Sequence, residues 1–181
     1  MKLKVLGVAI LLMVSCNTKK TDSVAINEVK AEIKVEAPST DIQGLEIYDF
    51  EGLKPFLNED DDKIHVINFW ATWCRPCVKE LPYFEALYEK YKDNDVEVVL
   101  VSLDFPHQFE SKLKPFIKEK QLKSKVIVLD DVDSNSWIPQ VDKDWSGSIP
   151  ATIIYKKGKR SFFERSFTYN ELENALKHFL N

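Results

Sequence analysis

A mixed α/β fold, with a central β-sheet flanked by helices, is predicted by three observations. Ile64-His65-Val66-Ile67-Asn68-Phe69-Trp70 is a dense, β-prone and nearly all-apolar run, the mark of a strand buried on both faces. After Cys74, Val78, Leu81, Phe84, Leu87, Tyr88 and Tyr91 recur at intervals of three and four, as on a helix packed along one side. Strand-like and helix-like segments then alternate and finish with a hairpin and a helix, the order of a mixed sheet.

The elements follow in turn. Leu45-Glu46-Ile47-Tyr48 alternates like a strand, and Leu53 to Leu57 forms a helical turn. Glu59-Asp60-Asp61-Asp62 makes an acidic loop; the EF-hand spacing and its glycine are missing, so it is a solvated turn rather than a calcium loop. Beyond the central strand and its helix, Val96 to Leu103 is a second buried strand. Residues 109–121 look helical with an interruption at Pro115, Val126 to Leu129 is a short strand, and residues 134–142 are a short helix. Thr152 to Tyr155 is a strand, Lys157-Gly158 a turn, and Ser161 to Phe167 the hairpin partner. Tyr169 to Leu180 closes the chain as an amphipathic helix through Leu172, Ala175, Leu176, Phe179 and Leu180. No internal repeat is visible.

The 181 residues suit one domain plus extras, and 44% apolar with 30% charged residues is ordinary for a globular protein. A net charge of −4 argues against nucleic acid. Of the three cysteines, Cys74 and Cys77 are close together and Cys16 lies far upstream, which is no disulfide framework. Cys and His are too few for a structural zinc site, and His65, His107 and His178 form no cluster along the sequence, so no metal and no role for them is expected.

The N-terminus is a targeting segment. Lys2 and Lys4 precede an apolar run, Val5 to Val14, too short to span a bilayer comfortably. Met13-Val14-Ser15-Cys16 resembles the bacterial lipobox, which implies an acylated Cys16 as first mature residue. The alternative is a plain secretory signal; the domain is exported either way. The expected organisation is a signal peptide over 1–15, a lipidated cysteine and flexible tether over 16–43, and a folded domain over 44–181.

The chemistry centres on Trp70-Ala71-Thr72-Trp73-Cys74-Arg75-Pro76-Cys77. CxxC alone is weak, but here it follows a buried strand and opens a helix. A helix N-terminus presents unpaired N–H groups and partial positive charge, so a thiolate on Cys74 is stabilised and Cys74 is the expected nucleophile. Cys77, one turn on, closes the disulfide. Pro76 suits a first helical turn and Arg75 adds positive charge. A zinc half-site or a disulfide that braces a loop are the competing readings; neither has a matching ligand pair or the right context.

Phe69 to Cys77 resembles the active site of the thioredoxin superfamily, and Val78-Lys79-Glu80-Leu81-Pro82 is similar to its membrane-anchored TlpA/ResA-like branch. The resemblance covers roughly residues 44–181. It implies a thioredoxin-like fold with an N-terminal strand extension and a central insertion, for which Asp104 to Trp145 leaves room. It also implies reduction of protein disulfides outside the cytoplasm, as on apocytochrome c, with electrons from a membrane donor of the DsbD or CcdA kind. No cofactor is implied. Ile149-Pro150-Ala151-Thr152 resembles the family's cis-proline loop, in which Ile149 presents its backbone to a substrate strand; a trans proline opening a strand is the alternative. Glu80, one turn past Cys77, takes the place of a glutamate that governs cysteine protonation, against a merely solvated helix residue. Asn68 stands where ordinary thioredoxins bury an aspartate, and Pro82 matches a structural kink. Trp73 offers an apolar rim for docking, Trp70 belongs to the core, and Phe105-Pro106-His107 forms a loop that borders the site. The same chemistry run as an oxidant, a non-catalytic binding lipoprotein and a peroxidase are the rivals. The peroxidatic Pro-x-x-x-Thr/Ser-x-x-Cys pattern is absent before Cys74.

Overall fold

The computed structural model describes residues 39–40 and 44–180. The expected signal peptide, Cys16 and all of the tether except Ser39-Thr40 lie outside the described residues. Ser39–Thr40 (β1) pairs antiparallel with Glu46–Tyr48 (β2), so the sheet takes up chain ahead of the expected boundary at residue 44. Then follow Phe50–Leu53 (α1), Ile64–Trp70 (β3), Arg75–Tyr91 (α2), Val96–Ser102 (β4), Lys114–Lys120 (α3), Lys125–Leu129 (β5), Ser134–Val141 (α4), Ala151–Lys156 (β6), Lys159–Phe163 (β7) and Tyr169–Lys177 (α5).

The seven strands form one mixed sheet in the order β1-β2-β5-β4-β3-β6-β7. β3 is central, parallel to β4 and antiparallel to β6. β5, supplied by the inserted stretch between Asp104 and Trp145, sits between β2 and β4 and is parallel to both. Alternation along the strands divides the core into two halves. Ile64, Val66 and Trp70 of β3 pack with Leu81, Phe84 and Leu87 of α2 and Leu172 and Leu176 of α5. Ile67 and Phe69 face the other side, against Phe50 and Leu53 of α1 and Trp137 and Val141 of α4. Every residue of β3 is buried, as its composition requires.

Three boundaries differ from the sequence reading, each for a local reason. The turn expected at Leu53–Leu57 is a 3-10 turn over Lys54–Leu57 that continues α1, which starts earlier because the Asp49 side chain caps it by accepting from Gly52 N. Lys157 and Gly158 both have positive φ, 33° and 75°, the geometry of a two-residue hairpin turn, so β7 starts at Lys159 and ends at Phe163 rather than running from Ser161 to Phe167. α5 opens on a capping box between Thr168 and Glu171 but stops at Lys177; Phe179 N turns back to Leu176 O instead of extending the helix. The interruption at Pro115 takes the form of a π-turn over Phe109–Leu113 directly before α3, which widens the backbone where the proline ring would crowd the Ser111 carbonyl.

Candidate active site

The end of β3 and the start of α2 carry the cysteines. Cys74 is the N-cap of α2 in extended backbone, and its sulfur accepts from Cys77 N at 3.3 Å. The pair is joined in a disulfide with Cα atoms 5.3 Å apart. Arg75 and Pro76, both exposed, form the first helical turn. Cys74 is 6% exposed and Cys77 0%, so an incoming group meets Cys74 first.

Opposite the cysteines, the Ile149–Pro150 bond is cis. Cys74 Sγ stands 3.7 Å from Ile149 O. β6 starts directly after Pro150, which is why the loop arrives beside α2: β6 is the antiparallel neighbour of β3, with Ala151 opposite Phe69. Trp73 is exposed and stacks against the exposed Phe105 at 6.1 Å between ring centres, and Phe105 stacks in turn on His107. The loop expected to border the site therefore joins its rim. Trp70 is wholly buried.

Glu80 is not a solvated helix residue. It is 1% exposed. Its Oε2 accepts from Phe167 N at 2.7 Å and its Oε1 from Asn68 Nδ2 at 3.2 Å. Asn68 Nδ2 also reaches Thr152 Oγ1 at 3.1 Å, which links the glutamate to the strand after the cis-proline. Burial pushes the Glu80 carboxyl up to about 7, against the opposing pull of these hydrogen bonds and of Arg165. Sequence periodicity hides this environment: the α5 side of the core and the Phe167 backbone close over a helix position that looks solvent-facing.

The model of the AhpC/TSA family matches residues 33–159. The chain belongs to the AhpC/TSA family. Among curated relatives, this AhpC/TSA protein is 40% identical over 106 residues to the thiol-disulfide oxidoreductase ResA of Bacillus thuringiensis subsp. konkukian, covering 56% of this chain and 54% of that protein. The match thus spans about half the length of the curated relative. Among solved structures it is similar to the thioredoxin domain of a thiol-disulfide oxidoreductase from Bacteroides vulgatus, with a TM-score of 0.54 and 25% identity over 71% of this chain and 84% of that one. A thioredoxin-related protein from Neisseria meningitidis serogroup B matches with a TM-score of 0.57 and 23% identity over 66% of this chain and 86% of that one, and shows the shared fold. The fold is thioredoxin-like, as the sequence predicts.

Two carboxylates that hold the site of this AhpC/TSA protein together escaped sequence reasoning. Asp104 is 2% exposed and accepts from Thr72 N at 3.0 Å, from the Thr72 hydroxyl and from Ser102 Oγ at 2.9 Å, clamping the loop that leads from β3 into Cys74. Glu164 accepts from the backbone N–H groups of Ser146 and Ser148 at 3.1 and 3.0 Å and from the Ser146 hydroxyl, fixing the loop before Ile149. The Ser146 hydroxyl and these N–H groups hold the Glu164 carboxyl below the usual carboxylate range. A lone acid after a strand carries no signal along the sequence. Asp104→Ala orphans the half-buried Thr72 and buried Ser102 donors and is expected to lower stability by about 1–3 kcal/mol. Urea unfolding measures it, and a loss below about 0.5 kcal/mol would make the clamp dispensable.

Proposed function

We propose that the protein is a thiol–disulfide oxidoreductase of the bacterial envelope that reduces protein disulfides through Cys74 and Cys77. The observation that carries this reading is Cys74 as the N-cap of α2, with its sulfur 3.7 Å from Ile149 O of the cis-proline loop. A nucleophile there meets an extended substrate strand that pairs with the Ile149 backbone, with Trp73 as an apolar rim. The Cys74 thiolate attacks a substrate disulfide; one new S–S bond forms, and the displaced substrate sulfur leaves as thiolate and takes a proton. Cys77 then attacks Cys74 Sγ and releases the second substrate thiol. Two electrons pass to the substrate for each turnover, and the resulting disulfide awaits a membrane donor of the DsbD or CcdA kind.

The reducing direction is favoured by the buried Glu80. From its place one helical turn beyond Cys77 in α2, an ionised Glu80 opposes thiolate formation on the pair, which would make the dithiol a stronger reductant. Arg75 pulls the other way, but its side chain is exposed and weakly felt. The similarity to ResA supports the same chemistry.

The folded domain is tethered to a membrane by a lipid on Cys16, which follows the signal peptide 1–15 and is joined to the domain by the segment ahead of β1. Among the described residues no helix is long and apolar enough to cross a membrane. Mass spectrometry of the mature protein is expected to find acylated Cys16 as the first residue; a different, unmodified N-terminus removes the anchor. For the activity, Cys77→Ser in the native host is expected to hold substrate proteins on Cys74 as mixed disulfides. Recovery of no more linked protein than from the variant lacking both cysteines would overturn the proposed activity.

A further inference from the structure

At the opposite end of β3 from the cysteines, His65 stands beside two carboxylates. Residues 65 and 97 are paired neighbours in the parallel β3–β4 ladder, so their side chains share a face. Glu59 arrives from the acidic loop before β3, a segment anchored where Glu59 N donates to the Tyr155 hydroxyl at 3.1 Å. One ligand atom from each of Glu59, His65 and Glu97 lies within 4.8 Å of the others. We propose that these three residues bind a divalent cation of the Zn2+ class.

The decisive feature is the histidine. His65 is 1% exposed, and its Nδ1 is a buried atom with no hydrogen-bond partner. The ring is fixed in place: it stacks on Tyr155 at 4.7 Å, and its Nε2 lies 2.8 Å from Asp61 Oδ1. In the tautomer with its proton on Nε2, facing Asp61, Nδ1 is left as a lone pair, the arrangement by which an outer carboxylate prepares a histidine for a metal. Asp61 is itself held, its Oδ1 accepting from Lys63 N at 3.0 Å. The lone pair points toward Glu97, whose Oε2 is 3.6 Å from Nδ1. In a tetrahedral zinc site two ligand atoms each about 2.1 Å from the metal stand about 3.4 Å apart, so this edge is nearly formed.

Charge agrees with geometry. Lys63 engages the other oxygen of Glu97 and leaves Oε2 for the ion. Lys123 and Lys125 line the same recess but pair with Glu89 and Glu46, so Asp61, Glu59 and Glu97 against Lys63 leave a negative excess that a dication offsets. One imidazole nitrogen with two carboxylate oxygens suits Zn2+ and its borderline neighbours better than Ca2+, which takes six or more oxygens. The fourth position faces outward, since Glu59 and Glu97 are both partly exposed, and would take water. The expectation of no metal rested on too few Cys and His residues and on histidines that form no cluster; here two of the three ligands are glutamates, brought to one histidine from a loop and an adjacent strand.

The test uses the untagged full chain with the Cys74–Cys77 disulfide intact, so that those sulfurs cannot take the ion, stripped with a chelator and titrated calorimetrically with zinc chloride alone. One saturable equivalent is expected, weakened at least about tenfold by Glu97→Gln, by Glu59→Gln and by Asp61→Asn. Co2+ in place of Zn2+ is expected to give a visible spectrum without a thiolate-to-metal band. Should His65→Asn fail to fold, the partly exposed glutamates still decide the matter. Absence of saturable heat, equal affinity in wild type and Glu97→Gln, or a cobalt spectrum with a thiolate band each overturns the site. Failure here does not touch the cysteine chemistry, which the substrate trap tests separately.

Discussion

Cys74→Ser is expected to abolish disulfide reduction, leaving less than about 1% of the wild-type rate, because a serine hydroxyl is not ionised where a thiol is and cannot start the exchange. Cys77→Ser is expected to fail differently. It keeps the attacking sulfur, so a first mixed disulfide forms but does not resolve. The asymmetry follows from the N-cap: Cys74 is the partly accessible sulfur at the helix end, while Cys77 is fully buried behind it. In the reduced protein, alkylation at mildly acidic pH is expected to mark Cys74 first. Preferential labelling of Cys77, or turnover by Cys74→Ser, would reverse the assignment.

Glu80→Gln is expected to change both stability and thiol ionisation. The folded protein holds the Glu80 carboxyl at about 7, above its ordinary 4.5, mainly because burial disfavours the anion. The fold therefore favours the protonated form. That advantage is complete below about pH 4.5, declines as pH rises and is gone above about 7, a difference of about 3 kcal/mol across the window. Glutamine carries no charge, so the variant is expected to lose this slope, and unfolding curves at pH 4.5 and pH 8 measure the difference. Removing the anion is also expected to lower the cysteine pKa, read by thiolate absorbance in the reduced protein. Superimposable titrations would detach Glu80 from the thiol chemistry.

Asn68 gives this titration a structural partner. Its Oδ1 is buried without a hydrogen-bond partner while its Nδ2 serves Glu80 and Thr152. A protonated Glu80 has a hydroxyl to donate, and rotation of the Asn68 amide brings Oδ1 to receive it. An aspartate at this position would instead set two buried acids against each other. Asn68 thus leaves Glu80 as the acid at this point in the core.

What the sequence made legible was local physics. The apolar run of β3, the helical spacing after Cys74, and Pro76 in the first turn each act within a few residues, and the structure brings Cys74, Cys77 and the Ile149–Pro150 loop together. The cis bond at Pro150 was legible through resemblance alone. The Asn68–Glu80–Phe167 and Asp104–Thr72 contacts were not legible, since they join residues 12 to 87 positions apart. The hairpin shows a related weakness. Phe162, Phe163 and Phe167 drew the strand too far, whereas the two-residue turn at Lys157-Gly158 sets where β7 begins. The acidic loop looked solvated because its histidine lies on the next strand and turns inward.

The outer strand β7 has a consequence for behaviour in a crowd. An edge strand offers unpaired backbone groups that invite another chain to extend the sheet. β7 opens with exposed Lys159 and with Arg160, whose guanidinium turns inward to donate to the carbonyls of Leu57 and Val141. A second molecule pairing there would have to pack against these two charged side chains and disturb the carbonyl contacts that Lys159 and Arg160 already make, which is costly. Many copies held at one surface, as a lipid tether would hold them, can therefore sit side by side without stitching their sheets together.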